Sequence, residues 1–270
     1  MNQMMENHER TRALLKKHYQ LYPKLQIEDI FKYIFQSTFG CEHLLSDEET
    51  VLHYIKYEYE TCFRTEAVYK EPLDGEYSRV YLSWLNHGLT AETLAKLFCL
   101  SAKQKYDDKS SLEQKISVAR GLISDGALPL NVDDFEAKLN RWRDMGYPAV
   151  HHSDAFRSAY HPAYRVIANR YADFLEVFSA IDKLLRKGSA IIALEGGSAS
   201  GKTTLADILK EVYDCNVFHM DDFFLRPEQR TPQRLAEVGG NIDRERFSNE
   251  VLQSLKMVMR LFLEVLLLAL

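Results

Sequence analysis

The sequence has little of what would place it in several large protein classes. Its four cysteines, Cys41, Cys62, Cys99 and Cys215, are scattered along 270 residues without a C-x-x-C pair. That argues for neither a zinc ribbon nor a disulfide framework, and favours free thiols in a reducing compartment. No apolar stretch reaches the roughly 20 residues needed to span a bilayer. The polar amino terminus, Met1 to Arg10, lacks the apolar core of a secretory signal. There is no basic excess either: 34 Lys and Arg stand against 39 Asp and Glu, a net charge of −5, which argues against a general nucleic-acid binder. The expectation is a cytoplasmic protein with no nucleic-acid partner and no membrane partner.

What is present first is helical periodicity. Up to about residue 186 the chain reads as helix after helix. Ile27, Ile30, Phe31, Ile34 and Phe35 share a face after the Tyr22-Pro23 break, and Val51, Leu52 and Ile55 mark a second helix. Thr90 caps a third, Ser110-Ser111-Leu112-Glu113 has capping-box spacing, and Val132, Phe135, Leu139 and Trp142 continue the pattern. After Pro162, the residues Ile167, Tyr171, Phe174, Phe178, Ile181 and Leu185 repeat at three- and four-residue steps, predicting one long helix closed by Lys187-Gly188. No fixed-period repeat or low-complexity tract interrupts this half.

Two places in it hold residues suited to chemistry. Glu42, His43, His151 and His152 make a metal site if the fold brings them together. Arg157, Tyr160, Tyr164 and Arg165 alternatively line a pocket for a phosphorylated or anionic ligand. The plainer reading is that these histidines cap helices and the tyrosines pack.

Beyond Gly188 the period changes. Ala190 to Leu194 reads as a short buried strand, Gly196-Gly197-Ser198-Ala199-Ser200-Gly201-Lys202-Thr203-Thr204 fits G-x-x-x-x-G-K-[ST], and Leu205, Ile208, Leu209 and Val212 follow at helical spacing. Small residues let backbone N–H groups wrap a phosphate, and the helix adds its positive N-terminal end. Lys202 reaches the β- and γ-phosphates and Thr203 offers its hydroxyl to Mg²⁺. The plainer alternative is a glycine-rich turn with no ligand. A second strand, Asn216 to Met220, runs into Asp221-Asp222-Phe223-Phe224. Carboxylates at that end of a strand receive a substrate proton or hold Mg²⁺ through water, or merely cap a turn.

The loop and the Asp-Asp-Phe-Phe segment together resemble the uridine kinase and phosphoribulokinase group of P-loop kinases, which includes nicotinamide riboside kinases. The resemblance covers Ser189 to near Val251. It implies phosphoryl transfer from ATP to a hydroxyl of a nucleoside or similar small molecule, with Asp221 as catalytic base, Thr203 and Asp222 toward Mg²⁺, and Gly196 to Thr204 around ATP. Arg226, Arg230 and Arg234 stand where they contact substrate or phosphate, or form a solvated face. Such kinases build five parallel strands in the order 2-3-1-4-5, and the eighty residues after Gly188 leave the third strand, the lid and the adenine-side loop without a counterpart. Asp243 to Lys256 reads as a further helix, and the apolar tail Met257 to Leu270 as its prolongation or as a substitute strand.

The expected architecture is therefore an all-α domain over residues 1–187, followed over 188–270 by an α/β P-loop NTPase-type domain with a parallel sheet, truncated at its carboxyl end and for that reason expected to turn over little. The rival expectation is a non-enzymatic helical binding protein with a vestigial P-loop segment.

Overall fold

Polar residues immediately before apolar periodicity set most of the helix starts, as the computed structural model shows; it describes residues 2–41, 47–61, 70–253 and 263–269. Helix α1 spans Asn2–Leu21. Helix α2 spans Ile27–Phe39, and the Asp29 carboxylate accepts the Gln26 N–H at 2.8 Å at its start. Helix α3 covers Glu48–Thr61 and turns Val51 and Ile55 inward. Helix α4, Ala91–Ala102, is capped by Thr90, whose hydroxyl oxygen accepts the Thr93 N–H at 3.1 Å. Helix α5, Lys109–Ser124, begins earlier than the Ser110 capping box suggests, because Asp108 accepts from both Ser110 N and Ser111 N. Helix α6, Val132–Asp144, follows Asn131 and buries Phe135, Leu139 and Trp142, and the short α7 spans Asp154–Tyr160.

The expectation of an all-α first domain fails. A three-stranded antiparallel sheet runs through it: β1, Lys70–Pro72, pairs with β2, Tyr77–Tyr81, which pairs with β3, Tyr164–Ala168. Tyr77 lies opposite Ala168 and Tyr81 opposite Tyr164. Four of the five β2 residues are buried, and Tyr-Ser-Arg-Val-Tyr is the central strand of this sheet. The long helix expected after Pro162 is in fact β3, a single turn α8 at Asn169–Ala172, and α9 at Leu175–Leu185. Tyr-Arg-Val-Ile-Ala is rich in aromatic and β-branched residues that suit a pleated surface, and pairing with β2 overrides the helical spacing.

The chain divides into two units, Met1–Leu175 and Glu176–Leu270. All of α9 after its first residue therefore falls with the second unit, where the Tyr213 hydroxyl donates to the Asp182 carboxylate at 2.8 Å.

In the second unit β4, Ala190–Gly196, leads to α10, Lys202–Tyr213, then to β5, Asn216–His219. Two one-turn helices follow, α11 at Pro232–Leu235 and α12 at Arg244–Phe247, the latter running into a π-helical turn at Ser248–Leu252. The strand β6, Leu263–Ala269, lies between β4 and β5 and is parallel to both. Residues 263–269 of the apolar tail are thus a strand at the sheet centre. This is still not the P-loop NTPase-type domain expected. Such a domain buries its parallel sheet between helices on both faces, whereas here the sheet has three strands among the described residues and Ile191 of β4 is 56% exposed, with Ala193 and Glu195 exposed beside it. Ala206, Ile208 and Leu209 of α10 are buried. β4 is accordingly a half-exposed alternating strand and not the fully buried run its composition suggests.

Among the described residues no helix is long and apolar enough to cross a membrane.

Candidate functional site

In the second unit the expected phosphate loop leaves β4 at Gly196 and enters α10 through Gly201, whose φ of +87° is a left-handed conformation that a side chain strains. Gly201 supplies no side-chain acceptor as N-cap, so the first N–H groups of α10 remain donors for an external ligand. The Lys202 ammonium curls back over the loop and donates to Gly196 O at 2.7 Å and Gly197 O at 2.8 Å. Ser198, Ala199, Ser200, Thr203 and Thr204 are exposed.

The sheet register fixes where the acidic pair stands. Leu194 of β4 and His219 of β5 both align with Leu267 of β6. Gly196 and Asp221 each lie two residues farther along, so both leave the same carboxyl edge of the sheet, two strand spacings or roughly 10 Å apart. Asp221 and Asp222 sit on a 3₁₀ turn, Met220–Phe223, and are exposed. Buried Phe223, packed with Ile242 and Val251, anchors that turn, and Arg246 donates to the Asp222 carbonyl. Of the three arginines singled out, Arg234 is bound to Glu245 at 2.8 Å and Arg230 to the Leu225 carbonyl at 3.0 Å, while Arg226 is exposed. An exposed hydroxyl at Thr203, an exposed carboxylate at Asp222 and uncapped helix N–H groups suit a hydrated Mg²⁺ bound mainly through phosphate oxygens.

The first unit carries a second polar arrangement, and it redistributes the candidates. His152 is buried and uses both ring nitrogens: Nδ1 pairs with the Asp29 carboxylate at 2.7 Å and Nε2 with the Tyr164 hydroxyl at 2.7 Å. The carboxylate requires a proton on Nδ1, so Nε2 accepts from Tyr164. Burial lowers the His152 pKa to about 4 against the pull of Asp29, keeping the ring neutral. Burial alone raises the Asp29 carboxyl, but the hydrogen bonds from His152, Ser153 and Gln26 outweigh it and hold it low. No lone pair of His152 is left for a metal. Among the described residues no group of three His, Cys, Asp or Glu side chains stands ready for one, and Glu42 and His43 lie outside the described residues. His151 is exposed.

Of Arg157, Tyr160, Tyr164 and Arg165, only Tyr164 and Arg165 line a common cavity. Arg157 pairs with Asp154 at the surface, Tyr160 accepts the Lys24 N–H at 2.8 Å, Tyr164 turns inward to His152, and Arg165 binds Glu58 at 2.7 Å.

What sequence reasoning missed is the group around Arg79. This guanidinium, fully buried at the centre of β2, donates to Gln36 Oε1 at 2.9 Å and Glu71 Oε2 at 3.3 Å and lies 4.8 Å from the Tyr164 ring centroid. His18 Nδ1 meets Glu71 at 2.5 Å, and the hydroxyls of Tyr22 and Tyr81 are 2.6 Å apart beside it. Burial opposes the charge on Glu71, yet Arg79 and the His18 hydrogen bond bring its pKa down to about 2. Tyr-Ser-Arg-Val-Tyr carries no apolar–polar alternation that marks it as a strand, and only the strand period, once known, places Arg79 on the same face as Tyr77 and Tyr81.

Beside this network a cavity of about 430 Å³ opens among α2, α3, α4 and β3, lined by Lys32, Gln36, His152 and Tyr164 together with Val51, Phe98 and Val166. Comparison of the chain with protein-family models, with curated proteins and with solved structures finds no match.

Proposed function

We propose that the second unit binds the phosphates of ATP with Mg²⁺ and transfers the terminal phosphoryl group to a hydroxyl of a nucleoside or similar small molecule. The observation that carries this is the loop itself. An ammonium on a half-buried lysine lies against Gly196 O and Gly197 O, at the mouth of a helix whose first N–H groups have no side-chain cap. Bound Mg·ATP supplies the transferable phosphoryl group. Lys202 and the loop amides hold its charge, the Thr203 hydroxyl and, through water, Asp222 stand toward the metal, and Asp221 accepts the proton from the acceptor hydroxyl. The likeness of the two motifs to the uridine kinase group supports the same reading.

The test of the chemistry is turnover with a panel of nucleosides. Asp221→Asn is expected to lower acceptor-dependent turnover by about 10²- to 10⁴-fold while leaving Mg·ATP binding intact. If Asp222→Asn is the crippling change and Asp221→Asn is mild, the base is Asp222.

One observation favours a second reading. Asp221 and Asp222 are exposed, and the β4 face of the sheet is open to solvent, whereas phosphoryl transfer relies on excluding water. A non-enzymatic binding protein whose loop holds phosphate without turnover accounts for that exposure. Mg·ATP binding with no acceptor-dependent turnover selects this second reading.

A further inference from the structure

The second site is independent of the phosphate loop and lies wholly in the first unit. Its cavity, about 430 Å³, falls in the range of small-molecule sites. Its lining is mixed: Val51, Phe98 and Val166 are apolar, while Lys32, His152, Tyr164 and the Glu58–Arg165 pair are polar.

Charge decides what the polar side takes. Arg165 is neutralised by Glu58 at 2.7 Å. His152 donates one nitrogen to Asp29 and accepts on the other, so its ring carries no charge at neutral pH. Asp29 stands behind it, its oxygens occupied by Gln26, His152 and Ser153, and does not line the cavity. Lys32 remains. Its ammonium donates to the Val150 carbonyl at 3.0 Å and pairs with no carboxylate among the described residues, leaving two N–H donors and one positive charge. Half-buried cations of this kind are costly without a counter-charge. A ligand with one negative charge supplies it, whereas a phosphate dianion brings a second charge for which the cavity lining has no free cation, because Arg165 is already paired with Glu58.

We infer that this cavity is a binding site for a small organic monocarboxylate, its apolar body against Val51, Phe98 and Val166 and its carboxylate on Lys32. Tyr164 is held by His152 and Asp29 in one orientation, so the polar wall is already formed before a ligand arrives.

The test titrates the full chain with phenylacetate, 3-phenylpropionate and 4-methylpentanoate, each beside its amide, and with inorganic phosphate, by ligand-observed NMR. At least one acid is expected to bind in the millimolar range or tighter, and about tenfold or more better than its amide. Lys32→Met should reduce that acid to the level of the amide, Lys32→Arg should retain the preference, and Lys202→Ala should change nothing. Thermal melts of the Lys32 variants, followed by tryptophan fluorescence, show that the fold is kept. Equal binding of acid and amide, an unaltered preference in Lys32→Met, absence of binding by every acid, or tighter binding of inorganic phosphate than of any acid each overturns the assignment.

Discussion

At the scale of single residues, the buried histidines give the first unit a definite pH response. The His152 pKa falls from its ordinary 6.5 to about 4 because burial disfavours the imidazolium, and His18 is lowered for the same reason. Between those values the unfolded chain binds a proton that the native state does not, so stability falls as pH drops from 6.5 toward 4. One such group costs on the order of 2 kcal/mol between pH 6.5 and pH 5. Trp84 and Trp142 both lie in the first unit, so urea titrations followed by tryptophan fluorescence at those two pH values read that unit alone. His152→Gln is expected to flatten part of the difference, and a pH-independent midpoint in the native chain would count against a buried neutral His152. None of this was legible in the sequence: His152 stood out as a metal-type residue, but its partner Asp29 is 123 residues away, and only the packing of α2 against the segment before α7 brings them together.

At the scale of elements, Gly40 shows how the first unit is closed. It ends α2 at a φ of +59°, and a Cβ there runs into the ring of Tyr77 on β2. Gly40→Ala is expected to cost about 2–4 kcal/mol, combining left-handed strain with overpacking, read from the same fluorescence titrations. A loss below ~0.5 kcal/mol would show that the turn relaxes freely. In the second unit the two faces of β4 and α10 predict opposite sensitivities. Ile208 is 1% exposed and Ile191 56% exposed, so Ile208→Ala should cost about 2–5 kcal/mol and Ile191→Lys within about 0.5 kcal/mol, by circular dichroism of urea unfolding. The helices were readable because Thr90 and the apolar faces of α2 and α6 act locally. The strands of the first unit were not, since Ile167, Tyr171, Phe174 and Phe178 mimic a helix while spanning a strand, a one-turn helix and the start of another helix. One local signal was passed over: Asp74-Gly75, between β1 and β2, is the dipeptide of a tight hairpin turn.

At the scale of the whole molecule, the functional motifs were more legible than the fold that carries them. The order strand, small-residue loop, helix around Gly196 to Thr204 follows from local residues, and so does the strand before Asp221. The class of the surrounding architecture depends on long-range pairing. An antiparallel sheet joins residues 77–81 to 164–168, and the sheet of the second unit is completed by residues 263–269 from the far end of the chain. Composition reports neither. Phosphate binding through Lys202 is tested most directly by calorimetric titration of the full chain and of Lys202→Ala with Mg·ATP. The native chain is expected to bind, and the variant to bind more than about tenfold more weakly. Equal binding by the two proteins, or no binding by the native chain, contradicts the claim.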